Sequence, residues 1–126
     1  MRPLLGLALL LLPAAVLARS DAPDAALGKA LRGLSPAGAP ISCVSERLVQ
    51  DTQIIDTNTI LFRTSGREVY LNHLRGGCAE LTPDRAFASS TPVDQLCSGD
   101  IITVFEPTAH VGVGSCALGD FQAYRR

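Results

Sequence analysis

Apolar and polar positions are most regularly placed between Thr59 and Leu74. Thr59-Ile60-Leu61-Phe62-Arg63-Thr64 is β-branched and aromatic, with Ile60 and Phe62 on one face and Leu61 and Arg63 on the other. Ser65-Gly66 supplies a tight turn, because glycine reaches positive φ without cost. Glu68 to Leu74 then returns as the partner strand, with Val69, Leu71 and His73 on one face and Tyr70, Asn72 and Leu74 on the other. Neither face is wholly polar. The pattern therefore predicts a hairpin covered on one side and partly on the other, as in a small barrel or a tightly curled sheet. The wider stretch from Asp56 to Cys78, opened by the turn residues Asp56-Thr57-Asn58, is the expected folding core.

The flanking sequence extends this picture. Ile41–Val44 is a short β-prone run, followed by a turn or short helix through Ser45-Glu46-Arg47 and a strand, regular or bulged, over Leu48–Ile55. Residues 79–90 read as irregular, with Leu81 and Phe87 as buried anchors. Thr91-Pro92-Val93-Asp94 has the form of a capped helix start and predicts a short helical turn near 91–97. Ile101–Phe105 is the next strand, stopped by Pro107; Thr108–Ser115 reads as a loop, and Cys116–Tyr124 as a last strand bent at Gly119-Asp120. The expected fold is all-β: a small antiparallel barrel or curled sheet of about five to six short strands.

Two N-terminal segments stand apart. Residues 1–18 carry Arg2, an apolar run from Leu4 to Leu12 and small residues before a cut at Arg19, the layout of a secretory signal peptide. The run is short for a bilayer, which takes roughly 20 apolar residues, so no membrane span is expected after cleavage. Residues 19–40 are rich in Ala, Pro and Gly. A brief helix over Ala25–Leu34 is weakened by Gly28 and Gly33, so 19–40 reads as a flexible linker to a single domain over 41–126.

The chain without its first 18 residues has ten basic and twelve acidic side chains, which argues against nucleic acid or an anionic membrane as partner. Ten of the eleven basic residues are Arg, which genome composition explains before function does. All four cysteines, Cys43, Cys78, Cys97 and Cys116, follow the signal, and an even count in a small exported chain reads as two disulfides. Cys43 and Cys116 lie on the first and last β candidates, which meet if a barrel closes. That favours a nested pairing, Cys43–Cys116 with Cys78–Cys97.

The pattern Cys43, Ile55-Asp56, Thr59-Ile60-Leu61-Phe62, Val69-Tyr70, Asn72, Leu74, Cys78, Phe87, Leu96-Cys97, Asp100-Ile101-Ile102-Thr103-Val104, Cys116, Leu118-Gly119 and Phe121 resembles a family of short exported bacterial proteins catalogued as a domain of unknown function. A Pro-Gly pair often follows the second cysteine in similar sequences, where Ala79-Glu80 stands here. The resemblance implies export and a shared small fold, and carries over no catalytic residue.

No arrangement of residues specifies a reaction. The nearest cysteines are nineteen apart, unlike the close pairs of zinc sites, so neither a metal nor a cofactor is expected. His73 and His110 are the only histidines, and with Asp100 or Glu106 they are the only material for an acid–base site or a ligand contact. Each also has a plain reading as a strand, loop or turn residue. His110-Val111-Gly112-Val113-Gly114 lacks the third glycine, the following helix and the lysine of a phosphate loop. Arg63 and Arg75 read as solvated, and Arg125-Arg126 as too short for a basic tail. The expectation is a periplasmic or secreted, non-enzymatic module that binds a protein or small-molecule ligand of the envelope or has a structural role there. The alternatives are a small envelope enzyme using Asp100, Glu106, His73 and His110, and an inhibitor of a cell-wall hydrolase. Local function is expected in the loops at 79–92 and 107–115.

Overall fold

A computed structural model describes residues 22–126; the expected signal peptide, 1–18, lies outside the described residues. The elements are α1 (Ala22–Ala30), β1 (Ser35–Pro36), β2 (Cys43–Ser45), a 3₁₀ turn (Glu46–Leu48), β3 (Val49–Asp56), β4 (Thr59–Thr64), β5 (Val69–His73), β6 (Ala86–Ser89), β7 (Gln95–Cys97), β8 (Ile101–Glu106), β9 (Val111–Ala117) and β10 (Phe121–Arg125). They form three antiparallel sheets: five strands in the order β1-β10-β5-β4-β3, three in the order β6-β8-β9, and the ribbon β2-β7. The fold is all-β, with curled open sheets in place of a closed barrel.

The β4–β5 hairpin is the centre of the five-stranded sheet, in register from Thr59 opposite His73 to Arg63 opposite Val69. Because side chains alternate across a strand, β4 serves two hydrophobic clusters. Ile60 and Phe62 point into the main core with Leu81, Leu96, Ile102, Val104, Leu118 and Phe121. Phe62 meets Phe121 of β10 and Phe87 of β6 edge to face, with ring centroids 5.5 and 6.1 Å away, the geometry that aromatic quadrupoles favour. Leu61, Leu71 and Ile55 form the second cluster on the opposite face, which is covered by Ala26, Leu27, Ala30 and Leu31. The absence of a polar face on β4 thus follows from burial on both sides.

That cover alters the expectation for 19–40. From Ala22 on, the stretch expected to be a linker is structured: α1 lies on the sheet and β1 pairs with β10. Ala26, Leu27, Ala30 and Leu31 recur at helical spacing, and the apolar area they cover outweighs the propensity penalty of Gly28.

Three other segments differ from the pattern reading. The residues expected to begin a helical turn at 91–97 bend instead and lead into β7. The Thr91 hydroxyl donates to the carbonyls of Val93 and Gln95, at 2.5 and 3.2 Å, so it does not cap amides as a helix start requires. Phe87 anchors strand β6 within the stretch read as irregular. The glycine-bearing stretch read as a loop is largely strand β9. Glycine suits Gly114, where a Cβ would stand 2.8 Å from Cγ of Glu80, which crosses over the strand.

The disulfides are Cys43–Cys97 and Cys78–Cys116, which corrects the nested pairing. Cys43 of β2 is the direct register partner of Cys97 of β7, with Cα atoms 4.0 Å apart. Cys116 lies on β9, not on the last strand, and the Arg75–Ala117 bridge brings it to the loop that carries Cys78. The first and last β segments do meet, but at Ile41 and Phe121.

β9 leaves the three-stranded sheet and becomes β10 of the five-stranded sheet through Leu118-Gly119-Asp120. Fully buried Asn72 of β5 holds this crossing: its amide donates to the Gly119 carbonyl at 2.8 Å and accepts from the Gly119 N–H at 2.9 Å. A Cβ on Gly119 would lie 2.0 Å from the His73 carbonyl oxygen, so only glycine permits the approach.

Non-reducing peptide mapping is expected to yield the Cys43–Cys97 and Cys78–Cys116 peptides. Removing either bridge should lower unfolding free energy by up to about 4 kcal/mol in the chain-entropy model, measured by denaturant titration. Asn72→Ala should cost about 3 kcal/mol in the same assay, because it leaves a buried N–H and C=O without partners. Gly119→Ala should cost at least as much.

Candidate functional site

The residues singled out from sequence do not assemble into one site. Asp100 closes the turn after β7: its carboxylate accepts the Cys97 N–H at 2.7 Å, and its own N–H reaches the Cys97 carbonyl at 3.0 Å. This is the turn role that Ser98-Gly99-Asp100 suggested. Glu106 ends β8 and takes the amides of Thr108 and Ala109, at 3.1 and 2.5 Å, across the β8–β9 turn. Those amide bonds, Ala109 first and then Thr108, hold its carboxyl below the ordinary carboxylate value. His110 completes the same turn with φ of 56°, a conformation histidine tolerates better than most residues. His73 is exposed at the end of β5, with Nδ1 3.2 Å from the Thr59 hydroxyl. Glu106 and His110 thus share a turn, while Asp100 stands at the other end of β8, roughly 20 Å away at the rise of an extended strand. Among the described residues, no three His, Cys, Asp or Glu side chains gather as metal ligands.

What the fold does assemble is a set of arginines. A groove of about 720 Å³ is lined by Ala30, Leu34 and Val69 together with Arg32, Arg63, Arg67, Arg125 and Arg126. The topology explains the convergence. Arg63 and Val69 are register partners, Val69 pairs with Tyr124, and Arg125 pairs with Ser35. One end of β4, β5, β10 and β1 therefore comes together. α1 covers Leu61 and Leu71 farther along the same face and ends at Ala30, leaving the Arg63–Val69 end open beside the turn that carries Arg32.

The guanidiniums fall into two groups. Arg63 is fixed by Asp51 at 3.1 Å and Gln53 at 2.7 Å, its neighbours across β3. Arg125 lies 3.4 Å from Glu68. Arg32, Arg67 and Arg126 make no side-chain hydrogen bond or ion pair among the described residues. A groove with five guanidiniums and two neighbouring carboxylates is strongly positive in a chain whose net charge is −1. Its volume lies in the range of small-molecule sites, about 300–1,000 Å³. Planar guanidinium forks suit oxyanions, which they hold through paired N–H···O bonds.

From sequence, Arg63 reads as solvated and Arg125-Arg126 as too short for a basic tail, while Arg32 and Arg67 carry no sign of a site. Their positions along the chain carry no motif. The one local sign is Arg63 itself, a charge on the strand face that also carries Leu61. The exposed apolar residues Val93 and Ile101 share a smaller concavity with Cys97 and Asp100. No helix among the described residues is long and apolar enough to cross a membrane. Comparison with protein-family models, with curated proteins and with solved structures finds no match.

Glu106→Gln should loosen the β8–β9 turn without unfolding the sheets. Hydrogen exchange at Thr108 and Ala109 is expected to quicken while the global unfolding midpoint changes little. A carboxyl depressed in the folded state contributes stability above its unfolded pKa and loses it as pH falls through the folded one. The same two amides should therefore lose protection in the natural chain on acidification through and below the carboxylate range, and the variant should show no such step.

Proposed function

We propose that this protein is exported to an oxidising compartment, the periplasm or the extracellular space, and works there by binding, not by catalysis. The two disulfides support the compartment, since such bonds persist where thiols are not kept reduced. The signal-like layout of 1–18 and the resemblance to exported proteins support the same reading.

One observation carries the binding role: three of the four acid–base candidates are engaged in local structure, while the groove presents arginines. Asp100 and Glu106 spend their carboxylates on turn amides, and His73 meets Thr59. Arginine stays protonated in proteins, so its side chain orients and neutralises an anion but does not shuttle protons at neutral pH. Such a surface holds a ligand more readily than it transforms one. The ligand belongs to the envelope or its surroundings, and the chain's slight negative charge disfavours nucleic acid.

The test is complementation of a deletion strain with the His73→Ala/His110→Ala double variant. The exported variant is expected to restore the deletion phenotype as fully as the natural chain. Loss of complementation at equal exported level, not restored by His73→Gln/His110→Gln, would overturn the non-enzymatic reading, because the amides keep a hydrogen-bond contact while removing the only side chains whose ordinary pKa lies near neutrality.

A further inference from the structure

We propose that the arginine-lined groove is a binding site for a phosphate-bearing small molecule, with Arg32 and Arg67 as its principal anion contacts. This rests on the binding-module reading and names the chemistry of its ligand.

Arg63 and Arg125 already have carboxylate partners at the surface, which balance part of their charge. Arg63, pinned by two acceptors, forms a fixed wall of the groove. Arg32 and Arg67 come from turns, one after α1 and one between β4 and β5, and neither has an acidic partner among the described residues. Like charges gathered in one concavity repel, at a cost that water and salt screen in part for exposed groups. A bound anion removes it and gains charge-assisted hydrogen bonds.

The guanidiniums without a partner among the described residues select the anion. A monocarboxylate offers one charge and is satisfied by a single fork. A phosphate monoester carries close to two charges near neutral pH and three outward oxygens, enough to bridge guanidiniums from separate turns. The rest of the lining, Ala30, Leu34 and Val69, is apolar, and the arginine stems add methylene surface. That mixture fits an organic phosphate better than the bare ion: the phosphate on the guanidiniums, the carbon part against Leu34 and Val69. Glu68 and Asp51 border the groove and oppose a long polyanion tracking through it.

The same phosphate chemistry reaches an exported protein from two sources, a soluble phosphate ester or the headgroup of an anionic lipid. Titration of the mature chain separates them, using glucose 6-phosphate and hexyl phosphate in one arm, vesicles of phosphatidylcholine with phosphatidic acid in a second, and acetate as the carboxylate control. Binding is expected in at least one phosphate arm and to weaken with added salt. Arg32→Gln/Arg67→Gln should weaken it by about tenfold or more, as expected for losing charged hydrogen-bond donors. Arg75→Gln, whose partner is Ser98 outside the groove, should leave it unchanged. Both variants are expected to keep the natural unfolding midpoint, since Arg32 and Arg67 hold no ion pair among the described residues and Arg75 holds only an exposed hydrogen bond to Ser98. Binding to the soluble esters assigns a free ligand, and binding to the vesicles alone assigns the headgroup. The proposal is overturned if neither arm binds, if acetate binds as tightly as the esters, or if the double variant binds like the natural chain. Those failures leave the non-enzymatic reading standing, because that reading falls on the histidine complementation alone.

Discussion

The crossing at Gly119 is the constraint on which the two larger sheets depend. β9 belongs to the three-stranded sheet and β10 to the five-stranded one, and the chain has only Leu118, Gly119 and Asp120 in which to change layers. A buried link this short leaves backbone groups that neither ladder can satisfy, and each unpaired group would cost a sizeable part of a small domain's stability. Asn72 supplies a donor and an acceptor to the same residue. Its amide acts as an extra rung of ladder, placed where the sheets diverge. Gly119 is needed for the converse reason, because the His73 carbonyl occupies the space of a Cβ. Leu118 and Phe121, on either side, are then carried into the main core.

The disulfides reinforce the same junctions. Cys78–Cys116 ties the loop leaving β5 to β9 just ahead of the crossing, so one clamp is polar and the other covalent at the same boundary. Cys43–Cys97 closes the two-stranded ribbon, whose short ladder would be marginal by itself. Asp100 completes that corner by taking the Cys97 N–H. A core of this size gains from cross-links placed between layers, where the hydrogen-bond ladders do not reach.

The readability of the chain follows the range of the interactions. The β4–β5 hairpin is legible because its register comes from nearby residues: a β-branched run, a Ser-Gly turn and a returning run of matched length. The capping role of Asp100 is legible for the same reason. β9 is not, since Gly112 and Gly114 read as loop residues and the Glu80 side chain that makes glycine fit lies more than thirty positions earlier. α1 hides behind its glycine and gains its stability from a face of β4 whose burial is a tertiary fact. The disulfide pairing depends on which sheet holds Cys116, and no spacing rule states that. The groove is the extreme case: its arginines come from four places in the chain and share no pattern until β10 lies beside β5.

The end of the sheet face left bare beyond α1 would otherwise be an apolar notch, bounded by Ala30, Leu34 and Val69. Arginine solves a packing problem at such an edge, since its stem covers apolar surface while its head stays in water. The C-terminal end of α1, the negative end of the helix dipole, also favours a cation nearby and eases the placement of Arg32. Solvent cover accounts for one or two arginines. It does not account for Asp51 and Gln53 fixing a third, or for Arg67 entering from a turn with no carboxylate partner among the described residues. Arg63 and Arg125 are paired with carboxylates, as Arg47 and Arg85 are elsewhere on the molecule, but Arg32, Arg67 and Arg126 add cations with no such partner among the described residues. An excess of positive charge gathers at this end of the sheet, and Arg63, held by Asp51 and Gln53, gives it a fixed wall, which lowers the ordering cost of closing the groove on an anion.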